Sequence, residues 1–298
     1  MRYFVLAVTL LMSAGAAGQI QTPTDMEKKI GAAGVGADTT KIEGWKVNAV
    51  VGAGLSQAAF SNWAQGGENS FAYTLSGLVN GTLHGERSRW SNTLSLRYGQ
   101  AQIGNDEAKK TDDEIYFESI FVYRIWSPFH PYGAATIRTQ FAPGYNYPDN
   151  APRVRVSKFF DPAYLTQSVG VIYEPSPIFT SRLGVAMREV LTSEFPQYAD
   201  DPETLTEIEK TRFDVGMEWV STLNYEFLPN MVYVTRLELF APFNAFDRVV
   251  ARWDNVISGK INNWFSVNLG VQVLNDVNVT PRTQLKQTLT LGVSYQLL

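Results

Sequence analysis

The chain has 298 residues, of which 45% are hydrophobic, 13% aromatic and 18% charged, and its formal net charge is −4. These proportions exclude a disordered chain and a collagen-like fibre, and the charge offers no basic surface for nucleic acid. Because the chain contains no cysteine, disulfide scaffolds, thiolate metal sites and cysteine nucleophiles are excluded too.

The N-terminal part of the chain predicts a targeting segment. Arg2 precedes a short apolar run, and small residues follow it. This order is typical of a secretory signal peptide, which we predict over residues 1–18. Residues 19–44 are polar and lack periodicity, so we expect a flexible periplasmic leader there. The folded domain is then predicted over residues 45–298.

From Trp45 onward, apolar and polar residues alternate, and no apolar run is long enough for a membrane helix. A period of two predicts β-strands with one apolar and one polar face. The alternation is blurred in the fifth and sixth of twelve predicted strands. These are Trp45–Leu55, Phe71–Val79, Trp90–Tyr98, Ile115–Ile125, Tyr132–Phe141, Tyr164–Tyr173, Leu183–Leu191, Phe213–Tyr225, Met231–Leu239, Val249–Ile257, Phe265–Val273 and Leu285–Leu297.

The connections between the predicted strands alternate in length. Five short turns are separated by six mostly longer loops, of which Pro143–Pro162 and Ser193–Lys210 are the longest. This pattern predicts an all-β fold: a single twelve-stranded antiparallel up-and-down transmembrane β-barrel, with short periplasmic turns and longer extracellular loops. A secreted β-sandwich and a soluble barrel are the alternatives.

The composition of the two faces predicts that the apolar face looks outward. Aromatic residues recur near strand ends, as in interfacial girdles: Trp45, Trp90, Trp126, Tyr132, Tyr225, Trp264 and Tyr295. The polar face carries many charges, which we assign to the lumen. The basic residues are Lys46, Arg89, Arg97, Arg124, Arg182, Arg188, Arg212, Arg236, Arg248, Arg252 and Lys286, and the acidic residues are Glu114, Glu118, Asp214, Glu218, Glu238 and Asp254.

Two interpretations of these lumen charges remain open. They form either a structural network of ion pairs that partly fills the barrel, or the wall of a hydrated pore whose basic surplus favours anions. Three pairs of opposite charge lie two residues apart on one face, which favours the network. They are Arg212/Asp214, Arg236/Glu238 and Arg252/Asp254.

The C-terminus carries a polar, glycine, aromatic and apolar series. Thr290, Gly292, Tyr295 and Leu297 resemble the terminal assembly signature of outer-membrane barrels. Together with the predicted signal peptide and the even strand number, this series favours an outer-membrane barrel.

The first predicted hairpin carries a distinctive stretch, Phe60 to Ser70, which contains Asn62-Trp63 and Gly66-Gly67. With Gly44-Trp45 and Leu55-Ser56-Gln57 before it, this stretch resembles an uncharacterised outer-membrane family of Bacteroidota, domain of unknown function 3078. The resemblance extends over Lys41–Leu298 and implies an outer-membrane barrel of a Gram-negative bacterium. It brings no catalytic or ligand-binding residues. From the residues themselves, the stretch is a glycine-containing turn or a recognition loop.

Few residues are candidates for chemistry. His84 and His130 fall in predicted short turns, where two solvated histidines are favoured over a catalytic or metal site. The acidic loop Ser193–Lys210 is interpreted as solvated, with a calcium or partner site as the alternative. The aromatic loop Pro143–Pro162 either stays outside or folds over the mouth as a constriction.

These patterns lead to three functional hypotheses. The first two, nearly level, are a passive channel for small, anionic solutes and a non-conducting structural or accessory subunit. The third is a lipid-modifying enzyme, but the sequence offers no obvious Ser-plus-Asp arrangement beside either histidine. We therefore expect no enzyme and no cofactor. The expected partners are outer-membrane lipid and lipopolysaccharide, the barrel-assembly machinery and other outer-membrane proteins, without nucleic acid.

Overall fold

The computed structural model describes residues 44–60, 67–148, 151–200, 208–262 and 265–297. The predicted signal peptide and nearly all of the predicted leader lie outside these residues. The strands are β1 Gly44–Ala58, β2 Ser70–His84, β3 Ser88–Ile103, β4 Lys109–Tyr123, β5 Phe129–Thr139, β6 Gly144–Asn146, β7 Val154–Ser157, β8 Ala163–Ser176, β9 Phe179–Leu191, β10 Thr211–Leu228, β11 Met231–Pro242, β12 Val250–Lys260, β13 Phe265–Asn275 and β14 Gln284–Gln296.

Twelve of these strands form a closed antiparallel barrel in the order β1-β14-β13-β12-β11-β10-β9-β8-β5-β4-β3-β2. The remaining two, β6 and β7, pair with each other in the connection between β5 and β8. The predicted twelve-stranded up-and-down barrel is therefore confirmed. None of the described residues forms a helix that is long and apolar enough to cross a membrane.

The barrel has two different ends. The twelve barrel strands have 11 to 18 residues, so most extend beyond their predicted bounds. Short turns lie at the end where β1 begins and β14 finishes, and we call it the turn end. The longer connections lie at the opposite end, the loop end.

The outer face of the wall is apolar and the inner face is polar. On β14, Leu285 and Leu289 point outward and are 62% and 65% exposed, whereas Thr288 and Thr290 point inward and are buried. Alternate side chains of a strand must point to opposite faces, so this contrast repeats around the barrel. The hydrophobic residues of the alternating pattern thus cover the outside of the molecule.

Tryptophans on the outer face are bonded to hydroxyl groups of the wall. In each case the indole N–H donates to a hydroxyl oxygen on the adjacent strand. The three bonds, of 2.8 or 2.9 Å, run from Trp90 to Ser119, from Trp219 to Ser181 and from Trp253 to Thr235. The polar N–H group of each ring therefore has a hydrogen-bond partner on the apolar surface without water.

Aromatic side chains cluster at the turn end. The rings of Trp45 and Trp90 lie 5.8 Å apart, and Trp126 and Tyr295 are exposed. Tyr132, which the sequence assigned to this girdle, is instead buried inside the lumen. Gly133, Ala134 and Ala135 follow it and blur the alternation of β5, so the direction of the Tyr132 side chain could not be predicted from the sequence.

Three inward-facing glycines lie on the adjacent strands β8, β9 and β10, where the strands approach closely. Gly170 is paired with Gly184, and a Cβ atom on Gly184 would lie 2.4 Å from the carbonyl oxygen of Val169 and 2.7 Å from the Tyr132 hydroxyl. A Cβ on Gly216 would lie 2.2 Å from a backbone oxygen. Only glycine fits at these positions without moving the wall.

The barrel closes through a short seam between β1 and β14. Only six residue pairs form there, from Val50 with Gln296 to Leu55 with Leu291. By comparison, β1 and β2 pair along all fifteen residues of each strand. The seam is therefore the shortest contact between neighbouring barrel strands.

The turn-end half of the lumen is filled with small polar and apolar side chains. Ile120, Val122, Tyr132 and Ile172 form a buried cluster from β4, β5 and β8. Asn80 and Thr82 of β2 are bonded to inward residues of β3. Charged side chains are concentrated above this layer, toward the middle of the barrel.

Candidate functional site: the charged lumen

Charged side chains from opposite walls meet in the middle of the lumen. We call this group the septum. It contains five arginines, five acidic residues and one tyrosine. Its members are Arg97, Arg138, Arg182, Arg236, Arg252, Glu114, Glu118, Glu218, Glu238, Asp254 and Tyr116.

Glu118 of β4 is one centre of the septum. Its Oε1 atom lies 2.9 Å from Arg182 Nη1 of β9 and 2.8 Å from Arg236 Nη2 of β11. Strand β11 is five positions from β4 around the barrel, so the second ion pair crosses the lumen. Arg236 Nη2 also donates to the Tyr116 hydroxyl at 3.0 Å.

Glu114, which lies four residues before Glu118 on the same face of β4, is the second centre. Its Oε2 accepts a 3.0 Å hydrogen bond from Arg252 of β12, which is six positions away and therefore on the opposite wall. Arg97 lies 3.2 Å from the other carboxylate oxygen, and Arg138 Nε lies 3.4 Å from Oε2. A single carboxylate thus joins three strands of the barrel to its own.

The pairs predicted two residues apart on one strand are formed. Arg236 Nε lies 2.7 Å from Glu238, and Arg252 Nε lies 2.7 Å from Asp254. The third such pair, Arg212 with Asp214 at 2.9 Å, lies nearer the loop end and outside the septum. These three contacts favour the network interpretation of the lumen charges.

The septum is electrically balanced. Its five guanidinium groups face five carboxylates, and Arg182 and Glu118 have side chains only 4% and 7% exposed. Buried charges of this kind are tolerated when they are paired and hydrogen-bonded. Arg138 also lies 4.8 Å from the centre of the Tyr116 ring, in cation–π geometry. The basic surplus expected from the sequence is therefore not a property of the septum.

That surplus is overstated because the sequence assignment missed three acidic residues of the lumen. It also missed one basic residue, Arg138, which lies in the blurred stretch of β5. Asp112 pairs with Lys286 at 2.8 Å, but it precedes the predicted start of its strand. Glu174, beyond the predicted end of its strand, forms a partly buried ion pair with Arg89 at the turn end. If β4 and β8 had been predicted at their full lengths, Asp112 and Glu174 would have been placed on strands.

A fourth missed residue, Asp276, belongs to the loop between β13 and β14. It pairs with Arg188 of β9 at 3.1 Å, and both side chains are buried. Nothing in the sequence indicates that this loop turns inward over the mouth, because the contact depends on the shape of the closed barrel.

Eight predicted lumen residues lie outside the septum. Five of them form the ion pairs given above: Arg89, Arg188, Arg212, Asp214 and Lys286. The other three are Lys46, Arg124 and Arg248. Lys46 is exposed near the turn end, and Arg124 follows β4 in a turn, where it is half-buried. Burial, together with the positive charge of Arg89, lowers the pKa of Arg124. Arg248 is exposed in the loop before β12, because that strand begins only at Val250.

Two cavities lie on either side of the septum. The larger, of about 230 Å³, lies toward the loop end, and the smaller, of about 90 Å³, is lined by residues such as Thr93, Ser95 and Arg97. Tyr116, Arg138 and Arg252 line both cavities. These three side chains therefore form the partition between them.

The two histidines occupy different environments. His84 ends β2, whereas His130 lies at the start of β5 with a buried side chain whose Nδ1 atom has no hydrogen-bond partner. The interpretation of two solvated turn histidines is therefore wrong for His130. Inward-facing at the turn end, it is remote from the outer face of the wall.

The aromatic loop Pro143–Pro162 contains the hairpin β6–β7, which we call the strap. Its ion pairs run sideways to the neighbouring loops: Arg153 with Glu107 at 2.5 Å, and Arg155 with Glu194 at 2.5 Å. Lys158 also pairs with Glu194. These contacts tie the strap to its neighbours rather than drawing it into the barrel.

The Asp161 carboxylate fixes the base of the strap. It accepts bonds from the Thr192 hydroxyl at 2.6 Å, the Ser193 hydroxyl at 2.8 Å and the Ser193 and Glu194 backbone N–H groups at 3.1 and 2.9 Å. Burial alone would raise the pKa of Asp161, but these hydrogen bonds lower it below its ordinary value. The beginning of the acidic loop is thus held as part of this anchor. Residues 201–207, which carry several of its acids, lie outside the described residues.

The remaining predicted positions are partly described. Asn62, Trp63 and Gly66 lie outside the described residues, while Gly67 has a φ of +136° beside the Phe60 ring. Thr290 and Gly292 point inward on β14, and Tyr295 and Leu297 point outward. The first two residues of the C-terminal series therefore face the lumen, and the last two face outward.

Comparisons with known proteins place the resemblance on a narrower span. Residues 55–145 match the family described as "Protein of unknown function (DUF3078)", which confirms the resemblance over that part of the chain. The match does not reach the full Lys41–Leu298 span that was expected. Among curated proteins, none matches this chain.

Several solved barrels are distantly similar. The translocator domain of the autotransporter NalP from Neisseria meningitidis is 10% identical, with a TM-score of 0.37, over 98% of this chain and 97% of that one. An outer membrane channel from Pseudomonas putida F1 is 11% identical, with a TM-score of 0.39, over 93% and 99%. The NanC porin is 10% identical, with a TM-score of 0.39, over 84% and 100%. Similarity at this level carries no argument about what this chain does.

Proposed function

We propose that this chain is an integral outer-membrane β-barrel protein of a Gram-negative bacterium whose lumen is closed to passive diffusion. The observation that carries the proposal is the septum, in which ion pairs join opposite walls of the barrel. Of the hypotheses drawn from the sequence, this favours a non-conducting structural or accessory role.

The membrane location rests on the outer face of the wall. Outward side chains such as Leu285 and Leu289 are aliphatic and exposed, and a large exposed apolar surface requires an apolar environment. A strand of roughly 9 to 11 residues crosses a bilayer when tilted, and every barrel strand is at least that long. A closed barrel also satisfies its backbone groups internally, as lipid requires.

The assignment to the outer membrane, with the loop end extracellular and the turn end periplasmic, is supported by the predicted signal peptide and the C-terminal series. The family resemblance supports a Bacteroidota source. Under this proposal the chain contacts lipid and lipopolysaccharide and is inserted by the barrel-assembly machinery. The inward position of His130 supports the further proposal that the protein is not a lipid-modifying enzyme.

The closed lumen follows from the charge balance and the geometry of the septum. Solute passing along the axis must part the pairs of Glu118 with Arg236 and of Glu114 with Arg252. Breaking a buried ion pair costs several kcal/mol, about 3–5, when one partner is left without the other. Because basic and acidic groups are matched there, the septum offers no net attraction for anions either.

Planar-bilayer recordings test this proposal. The refolded wild-type barrel should show no conductance steps, whereas the variant Glu114→Ala/Glu118→Ala/Arg236→Ala/Arg252→Ala should conduct because both cross-lumen pairs and their bulk are removed. The matched control is Arg212→Ala/Asp214→Ala, which removes an ion pair that lies on one strand and does not cross the lumen. Steady conductance of the wild-type protein at low voltage would refute the closed lumen.

Channel function remains the second candidate, because a cavity lies on each side of the septum and three side chains separate them. A channel opened by rearrangement of Arg138 and Arg252 would show steps only above a threshold voltage. An accessory role would instead yield stoichiometric partners on affinity purification from native membranes. Heat-modifiable migration on a detergent gel tests the barrel itself.

A further inference from the structure

The larger cavity, on the loop-end side of the septum, has charged walls, and we call it the chamber. Arg138, Arg182 and Arg252 supply guanidinium groups, and Glu218 and Glu238 supply carboxylates to its lining. All five also belong to the septum, which forms its floor. Each of these groups already has a partner of opposite charge, so the floor and lower wall are charge-balanced.

The loop between β13 and β14 roofs the chamber. Asp276 and Val279 of this loop line the cavity, and Asp276 pairs with Arg188 across the mouth at 3.1 Å. Arg188 is in turn held near two rings, at 5.4 Å from Tyr164 and 6.0 Å from Phe240. The roof is thus held by one buried ion pair to the wall.

Part of the chamber lining is apolar. Tyr164, Phe240, Leu274 and Val279 contribute rings and aliphatic groups beside the charged groups. A space of about 230 Å³ is many times the ~10–15 Å³ that a single water molecule requires, so it can hold a small molecule. This is the size range of a small metabolite such as an amino acid.

We propose that this chamber binds a small zwitterion with an apolar side chain, of the size and chemistry of an aliphatic or aromatic amino acid. A net ion would add an uncompensated charge to a region where charges are already matched. A zwitterion adds none, since its carboxylate meets guanidinium groups and its ammonium meets carboxylates. The apolar part then packs on the rings. The proposal rests on the closed lumen, because the septum is the floor that retains the solute.

Isothermal titration of the full barrel in detergent micelles tests this inference. The probes are L-leucine, 4-methylpentanoate, which lacks the amine, and 3-methylbutylamine, which lacks the carboxylate. Leucine should bind, and each singly charged analogue should bind at least about tenfold more weakly, because a charge-assisted hydrogen bond is lost. Equal binding of either analogue, or no binding of leucine, overturns the zwitterion site.

Three variants locate the site. Val279→Trp fills the chamber from an exposed loop and should abolish leucine binding while leaving the barrel folded, as judged by heat-modifiable migration. Glu238→Gln should weaken leucine binding about tenfold or more but leave 4-methylpentanoate unchanged. Arg212→Gln, whose ion pair lies outside the chamber lining, is the control and should bind as the wild type does.

The two proposals fail in different ways. A protein that is silent in the bilayer and does not bind leucine overturns the chamber but not the closed lumen. A wild-type barrel that binds leucine and conducts freely overturns the closed lumen alone. Leucine binding that persists in Val279→Trp overturns the assignment of the site to this cavity.

Discussion

Replacing Glu118 with alanine should destabilise the barrel more than the same replacement of an acidic residue near the loop end. Glu118 is almost fully buried and accepts ion pairs from Arg182 at 2.9 Å and Arg236 at 2.8 Å. Its removal leaves two buried guanidinium groups with incomplete neutralisation. Breaking a buried pair by removing one partner typically costs about 3–5 kcal/mol.

The carboxylates that remain beside Arg236 and Arg182 decide where in that range the loss in free energy of unfolding falls. Arg236 keeps Glu238 at 2.7 Å, and Arg182 keeps Glu218 at 3.6 Å. We therefore expect the lower end, about 3 kcal/mol. Glu118→Gln keeps the shape and one acceptor oxygen, so it should cost about half as much.

Urea unfolding of the barrel refolded in lipid vesicles, followed by tryptophan fluorescence, measures these free energies. The matched control is Asp214→Ala, which removes a partly buried carboxylate with one arginine partner and should cost about 1 kcal/mol or less. A Glu118→Ala variant no less stable than Asp214→Ala would refute the view that cross-lumen pairs hold the barrel. A double-mutant cycle with Arg236→Ala should show coupling for the same reason.

Three further outcomes follow from local geometry. Because Asp161 has a lowered pKa, its charged form stabilises the loop end above about pH 4, and this contribution is lost as the pH falls through the folded-state pKa. In limited proteolysis across a pH series, the variant Asp161→Asn should be cleaved earlier than the wild type at pH 6. Equal cleavage of the two proteins would contradict the role of Asp161 as an anchor. Gly184→Ala should sharply lower the folded yield on a heat-modifiable gel, while Gly133→Ala, where nothing lies within 4 Å of an added Cβ, should fold normally. Trp219→Phe should cost about 1 kcal/mol in urea unfolding through its lost bond to Ser181, and an unchanged midpoint would show that bond to be dispensable.

The strands and their outward face could be predicted from sequence because both depend on local geometry. Side chains along a strand alternate by necessity, so the leucines and threonines of β14 separate onto two faces in the sequence as they do in the barrel. The prediction weakened in β5, where Gly133, Ala134 and Ala135 fit either face. Tyr132 and Arg138 were misassigned or missed for that reason.

The septum could be predicted only in part. Pairs on one strand, such as Arg252 with Asp254, follow from a spacing of two residues. The pair of Arg252 with Glu114 depends on how far each strand is shifted along its neighbour around the closed barrel. No local sequence pattern contains that information. The inward turn of Asp276 is likewise a property of the closed molecule.

The short seam between β1 and β14 has a consequence for how the barrel folds. Apart from this seam, neighbouring barrel strands follow one another along the chain, so the sheet can grow through hairpins of low contact order. The seam joins the two ends of the domain, and its loop-closure entropy is the largest of any strand pair. The cross-lumen pairs have the same long range: Glu114 and Arg252 are 138 residues apart. We therefore expect the arginines of one wall to meet their carboxylates as β1 reaches β14, so that the sheet closes and the lumen charges are neutralised together, late in folding.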